Sequence, residues 1–177
     1  MESRRKRNRS QILKWCCYVL GLFVCAALQT TPGLFQLGQA KPLLVLALCL
    51  AVAVQEDEFA GALFGALCGL LWDYTAGRTV GMLALEVMIL CFAVSVLVQV
   101  YLQSAPGNFA VIAAAAALLV LSADWLFFYY MPGYPGAAVR YLEFVLPSAV
   151  LTIPAALLEF FLVRRIYNEF KIDNGVV

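Results

Sequence analysis

The chain has 177 residues, of which 64% are hydrophobic and only 13% charged, and its formal net charge is +1. A soluble domain is nearer half apolar and carries about a quarter charged residues, so a mean hydropathy of +0.88 lies far outside that class. This excludes a soluble domain, gives no basis for a nucleic-acid partner, and points to an all-α polytopic membrane protein in contact with membrane lipids.

The first segment, residues 1–11, is basic: Arg4, Arg5, Lys6, Arg7 and Arg9 precede the first apolar run. Such a head suits anionic headgroups and fixes orientation. Residues 12–28 read as a retained first membrane helix, with Trp15 and Tyr18 at headgroup level. Thr31-Pro32-Gly33 ends it, and Leu34 to Lys41 reads as an interfacial segment. The next run, 42–54, gives only about 20 Å of helix against a hydrocarbon core of about 30 Å. It must begin earlier, or lie where the membrane is thinned or filled by protein.

Gln55-Glu56-Asp57-Glu58 breaks the chain before the third helix, 58–74. A continuous helix would hold three acids at mid-membrane, at about 2.5 kcal/mol each or more; a tight hairpin avoids that. Asp57 suits the N-cap, and acids there oppose the positive end of the helix dipole. The Glu56, Asp57 and Glu58 cluster is also a candidate docking point for a cytoplasmic partner. Helices at 80–101, 109–130 and 141–163 follow. The loops between them hold Ser104 to Asn108 and the Pro-Gly-rich stretch Met131 to Gly136. Pro147 and Pro154 each remove a backbone hydrogen bond, so the last helix is expected to kink. Residues 164–177 form a short polar tail.

Six helices put both termini on one side. That side collects Arg4, Arg5, Lys6, Arg7, Arg9, Lys14, Arg164, Arg165 and Lys171, against Lys41, Arg78 and Arg140 on the other. The excess of basic residues places both termini in the cytoplasm. The expected architecture is a compact six-helix bundle.

The third helix carries the most distinctive pattern. Gly61, Gly65 and Gly69 recur every fourth residue and so share one helical face, on which Asp73 follows. Gly77 and Gly81 extend the small-residue pattern into the next helix. Small residues four apart let helix backbones approach closely, within the fold or against another protein. Asp73 at a helix C-terminus faces the negative end of the dipole. Its partner is either Arg78 or the free amides that open the next helix near Thr79 to Gly81; a short turn favours the amides, leaving Arg78 for Glu86 or solvent. With Glu86, Asp124, Arg140 and Glu143, these residues form a candidate polar network at the outer helix ends. A small-molecule pocket or proton coupling there are the alternatives.

No catalytic set accompanies these acids: the chain has no histidine, and its six cysteines lie in apolar segments without completed ligand spacing. Neither a metal nor a cofactor is expected.

The run from Gly65 to Gly81, GALCGLLWDYTAGRTVG, resembles the signature of the bacterial rod shape-determining MreD family: a glycine-rich helix, an Asp, then glycines four and eight residues on. Pro42, Asp124 and Arg164-Arg165 are similar to family features, whereas Ala76 stands where many members have serine. The resemblance implies a non-enzymatic inner-membrane component of the cell-wall elongation machinery. Its implied partners are an MreC-like scaffold, an MreB-like filament and a RodA-type glycosyltransferase with its transpeptidase. The family is also similar in fold to the substrate-binding subunits of energy-coupling-factor transporters, which makes a solute-binding or transport subunit the alternative function. The Ala-x-x-x-Ala docking pattern of those subunits is absent from residues 12–28.

Overall fold

The computed structural model describes residues 2–77, 81–101 and 105–170, with side chains from residue 9 onward. Among these residues the chain is all-helical, and we number six helices: α1 (Glu2–Thr30), α2 (Leu44–Gln55), α3 (Glu58–Ala76), α4 (Met82–Val100), α5 (Pro106–Tyr130) and α6 (Ala137–Phe170). All but α2 are long and apolar enough to cross a membrane.

The short α2 is the axis of the bundle. Every residue from Leu44 to Ala53 is buried, and α1, α3, α4, α5 and α6 all pack against it. A helix apolar on all sides belongs inside protein. Of the readings open for the short run, the protein-filled one holds, and α2 starts at Leu44 rather than within Leu34 to Lys41. Sheathed this way, α2 need not match the membrane thickness.

Burying the start of α2 and the residues that lead into it removes amide groups from water, and side chains of α1 and α6 take them. Val45 N–H donates to Gln29 Oε1 (2.9 Å), Leu43 N–H to Thr152 Oγ1 (3.0 Å) and Lys41 N–H to Ser148 Oγ (3.2 Å). The Lys41 ammonium in turn donates to the Gln29 and Thr31 carbonyls, a cation at the negative end of α1. A Gln29→Leu variant is therefore expected to lose about 1–3 kcal/mol, the cost of a buried donor left unpaired, measured as a lower thermal midpoint in detergent.

Several boundaries differ from the sequence expectation. Helix α1 begins at Glu2 rather than near residue 12, because the basic segment consists largely of good helix formers and Ser10 Oγ donates to the Phe170 carbonyl at the end of α6. Pro106, expected in a turn, opens α5, where its missing N–H has no helical partner to lose. Helix α6 starts at Ala137 and runs on to Phe170, past the expected limits at 141 and 163. Its Tyr141–Val145 turn is π-helical and ends just before Pro147, widening the backbone where the proline ring would meet the Glu143 carbonyl. Pro154 sits inside the following α-helical stretch.

Candidate functional site

The glycine face of α3 is consumed inside the bundle. A β-carbon on Gly61 would stand 2.9 Å from Ala53 Cα of α2, and one on Gly65 would stand 2.8 Å from Cys91 Sγ and 3.0 Å from the Val87 carbonyl of α4. Gly69 is tighter still, with the Ala84 amide nitrogen and the Leu83 carbonyl each at 2.7 Å and Ala84 Cα nearer again. The glycines let α3 and α4 touch backbone to backbone. The opposite face of α3 presents Phe59, Leu63, Leu67, Leu70 and Tyr74, all exposed.

Gly77 and Gly81 serve conformation rather than packing, because among the described residues a β-carbon on either would meet nothing within 4 Å. Both take positive φ, 63° and 108°, which disfavours other residues. Gly77 closes α3, its amide bonding back to the Asp73 and Tyr74 carbonyls. That turn delivers the Asp73 carboxylate to α4: Oδ2 accepts from Gly81 N–H at 2.7 Å and from Ala84 N–H at 3.4 Å. Gly81 itself has no capping side chain, so Asp73 caps α4 from the preceding helix. Its side chain is buried, and both charge and geometry suit a helix N-terminus. An Asp73→Leu variant is expected to lose about 2–3 kcal/mol by stranding those amides. Asp73→Asn, which keeps an acceptor, is expected to lose less; paired thermal midpoints check the order.

The other candidates for the polar network occupy separate settings. Asp124 is half-buried and lines a cavity of about 210 Å³. Gln29, Gln39 and Lys41 share its wall, with Trp72, Leu83 and Phe144 among the apolar residues. Arg140 is exposed, its guanidinium 4.3 Å from the Tyr129 ring centre. Glu143 is exposed, and Glu86 is half-buried on α4. Arg78 lies outside the described residues. Of the acids proposed to line a pocket, Asp124 alone lines this cavity; beside it, Gln29 comes from the last turn of α1, and Gln39 and Lys41 from the α1–α2 connection. Trp125 Nε1 donates to the Ala137 carbonyl, and the Ser122 and Tyr141 hydroxyls share a hydrogen bond, so side chains clasp α5 to α6 here.

At the opposite end the acidic turn divides. Asp57 is exposed at the N-cap of α3 but makes no side-chain cap bond, and Glu58 is half-buried. Glu56 points inward. Its carboxylate lies 2.7 Å from Lys14 Nζ, in a pair whose side chains are only 9% and 6% exposed, and accepts from Tyr18 OH at 3.0 Å. Ser95 of α4 donates to the Ala53 and Glu56 carbonyls. Lys14 also sits over the Tyr167 ring of α6, 5.3 Å from its centre. One buried ion pair thus gathers α1, the α2–α3 turn and α6, and Glu56 is engaged here rather than free for docking.

Reading the sequence passes over this pair and also over Glu159. Glu159 is buried on α6; Cys25 Sγ of α1 donates to its Oε1 at 3.4 Å, and Oε2 has no hydrogen-bond partner among the described residues. Both Lys14 and Glu159 stand inside expected spans, and that position was the available signal. No group of three or more candidate ligands able to hold a metal occurs among the described residues.

The geometry is therefore that of a packed, clasped helical scaffold with an apolar perimeter. The family model described as rod shape-determining protein MreD matches residues 9–169. The chain belongs to the MreD family. Its role is accordingly in rod shape determination, as a multi-pass membrane protein. The match runs from the start of the first span in α1 to the last turn of α6, so it takes in nearly all of the bundle. No curated protein and no solved structure matches this MreD-family chain.

Proposed function

We propose that the chain is a non-enzymatic subunit of the cell-wall elongation machinery in the bacterial inner membrane. In this reading both termini face the cytoplasm and the bundle positions other membrane proteins through helix–helix contacts. The partners we assign are an MreC-like scaffold, an MreB-like filament, and a RodA-type glycosyltransferase with its transpeptidase. The observation that carries the reading is the family match over nearly the whole chain. The packing supports it and changes its mechanism. Since Gly61, Gly65 and Gly69 are filled by α2 and α4, partner contacts fall to outward faces such as Phe59, Leu63, Leu67 and Tyr74 of α3.

Affinity recovery of the tagged protein from membranes, alongside measurement of cell width, tests this. The expected result is rods of normal width and co-recovery of a membrane-anchored scaffold. Normal width with no membrane protein recovered would remove the assignment.

The outer-end cavity favours a second reading, a solute-binding subunit. Its volume, apolar wall and few polar groups suit a small polar metabolite. A raised thermal midpoint with one member of a metabolite panel, lost in Asp124→Leu, would support that reading. A flat panel would exclude it.

A further inference from the structure

We propose that the last turns of α6 seat the headgroup of an anionic phospholipid. A groove of about 450 Å³ is lined there by Phe161, Arg164, Arg165, Asn168 and Glu169. On a helix Leu158, Phe161, Leu162, Arg165, Asn168 and Glu169 fall on one stripe, because they follow three- and four-residue steps. The stripe is apolar and exposed through Leu158, Phe161 and Leu162, then becomes cationic and hydrogen-bonding at Arg165 and Asn168.

An amphiphile matches both halves at once: acyl chains along the exposed leucines and phenylalanine, phosphate on the guanidinium groups. Two arginines against the single carboxylate of Glu169 leave the groove net positive. Exposed Arg9 adds to the same end, because the Ser10 hydroxyl donates to the Phe170 carbonyl at 3.1 Å. Guanidinium forks fit phosphate oxygens in pairs. The Arg164 guanidinium lies 5.9 Å from the centre of the Phe160 ring, which restricts its motion before any ligand arrives. A zwitterionic choline lipid offers the same phosphate but brings a cation into a cationic groove, so the selectivity is for net negative headgroups. Inorganic phosphate offers the charge without the chain that fits Leu158 and Phe161. The inference stands apart from the assignment of protein partners.

The test is lipid titration of the full-length protein in detergent, with phosphatidylglycerol, phosphatidylcholine and inorganic phosphate as separate arms. Retained lipid is counted by native mass spectrometry and the thermal midpoint followed in parallel. Phosphatidylglycerol is expected to bind about tenfold more tightly than phosphatidylcholine. The Arg164→Gln/Arg165→Gln variant should lose that preference, whereas Arg140→Gln, at the other end of the bundle, should keep it. Arg165→Gln alone, at an exposed position, gives a weaker form of the same loss if the double variant does not fold. Equal binding of the two lipids, a preference that survives both variants, or equal protection by inorganic phosphate would overturn the proposal.

Discussion

Gly69→Ala, a single added methyl group, is expected to destabilise the protein by about 3 kcal/mol. On helix propensity alone the change would favour folding by about 1 kcal/mol. Sterics reverse the sign, because the new carbon lands on the Ala84 backbone and the Leu83 carbonyl, and neither can move without shifting α4. Gly65 should suffer less from alanine, since the Cys91 thiol can yield, although the Val87 carbonyl cannot. Gly65→Leu is expected to separate the two helices. Gly107 of α5 supplies the control: among the described residues it has open space around a β-carbon, and it has no positive φ, so Gly107→Ala should lose nothing. Thermal midpoints of the variants in one detergent check the order, and a Gly69→Ala protein as stable as Gly107→Ala would refute the packing account.

Lys14→Met is expected to lose about 3–5 kcal/mol, the range for breaking a buried ion pair by removing one partner. The loss comes from Glu56, which would be left charged and enclosed with, among the described residues, only the Tyr18 hydroxyl from a side chain. The diagnostic is the triple change Lys14→Met/Glu56→Met/Tyr18→Phe, which replaces the whole group by apolar side chains of similar size. It should recover most of the loss. Recovered stability with membrane partners retained marks a structural pair rather than a docking site. If Glu56 bound a cytoplasmic partner, the triple variant would be stable yet would lose that partner.

Much of the fold was legible because hydropathy blocks and turn residues are one-dimensional signals. Six helices, the hairpin at Gln55 to Asp57 and the glycine face all follow from spacing and composition. The readings that changed depend on what lies across the bundle. Residues 42–54 are apolar on every side, and that pattern fits lipid or protein equally; only the packing of five helices around α2 decides. Helix α1 extends through a basic segment that hydropathy ends early, because charge does not prevent a helix leaving the membrane.

The polar residues divide in the same way. Asp73 was readable because its partner is eight residues away, across one turn. The acidic run presents Glu56 as a docking point, but its partners Lys14 and Tyr18 lie in α1, and no local pattern announces them. Glu159 meets Cys25 from 134 residues away. The cavity beside Asp124 draws Gln29 from the end of α1, and Gln39 and Lys41 from a connection that reads as an interfacial loop. Contacts of that range are set by the fold as a whole.

Crosslinking in intact cells tests the central claim most directly: α3 uses its glycine face internally and offers its leucine face to partners. In a background lacking Cys16 and Cys17, single cysteines replace Leu63 and Leu67 on the outward face, while the buried native Cys68 and Cys91 report the inward side. With a membrane-permeant thiol crosslinker, the outward positions are expected to join the protein to another membrane protein, and the inward thiols to remain unlinked. Partner crosslinks from Cys68 or Cys91, with none from Leu63→Cys or Leu67→Cys, would contradict the account.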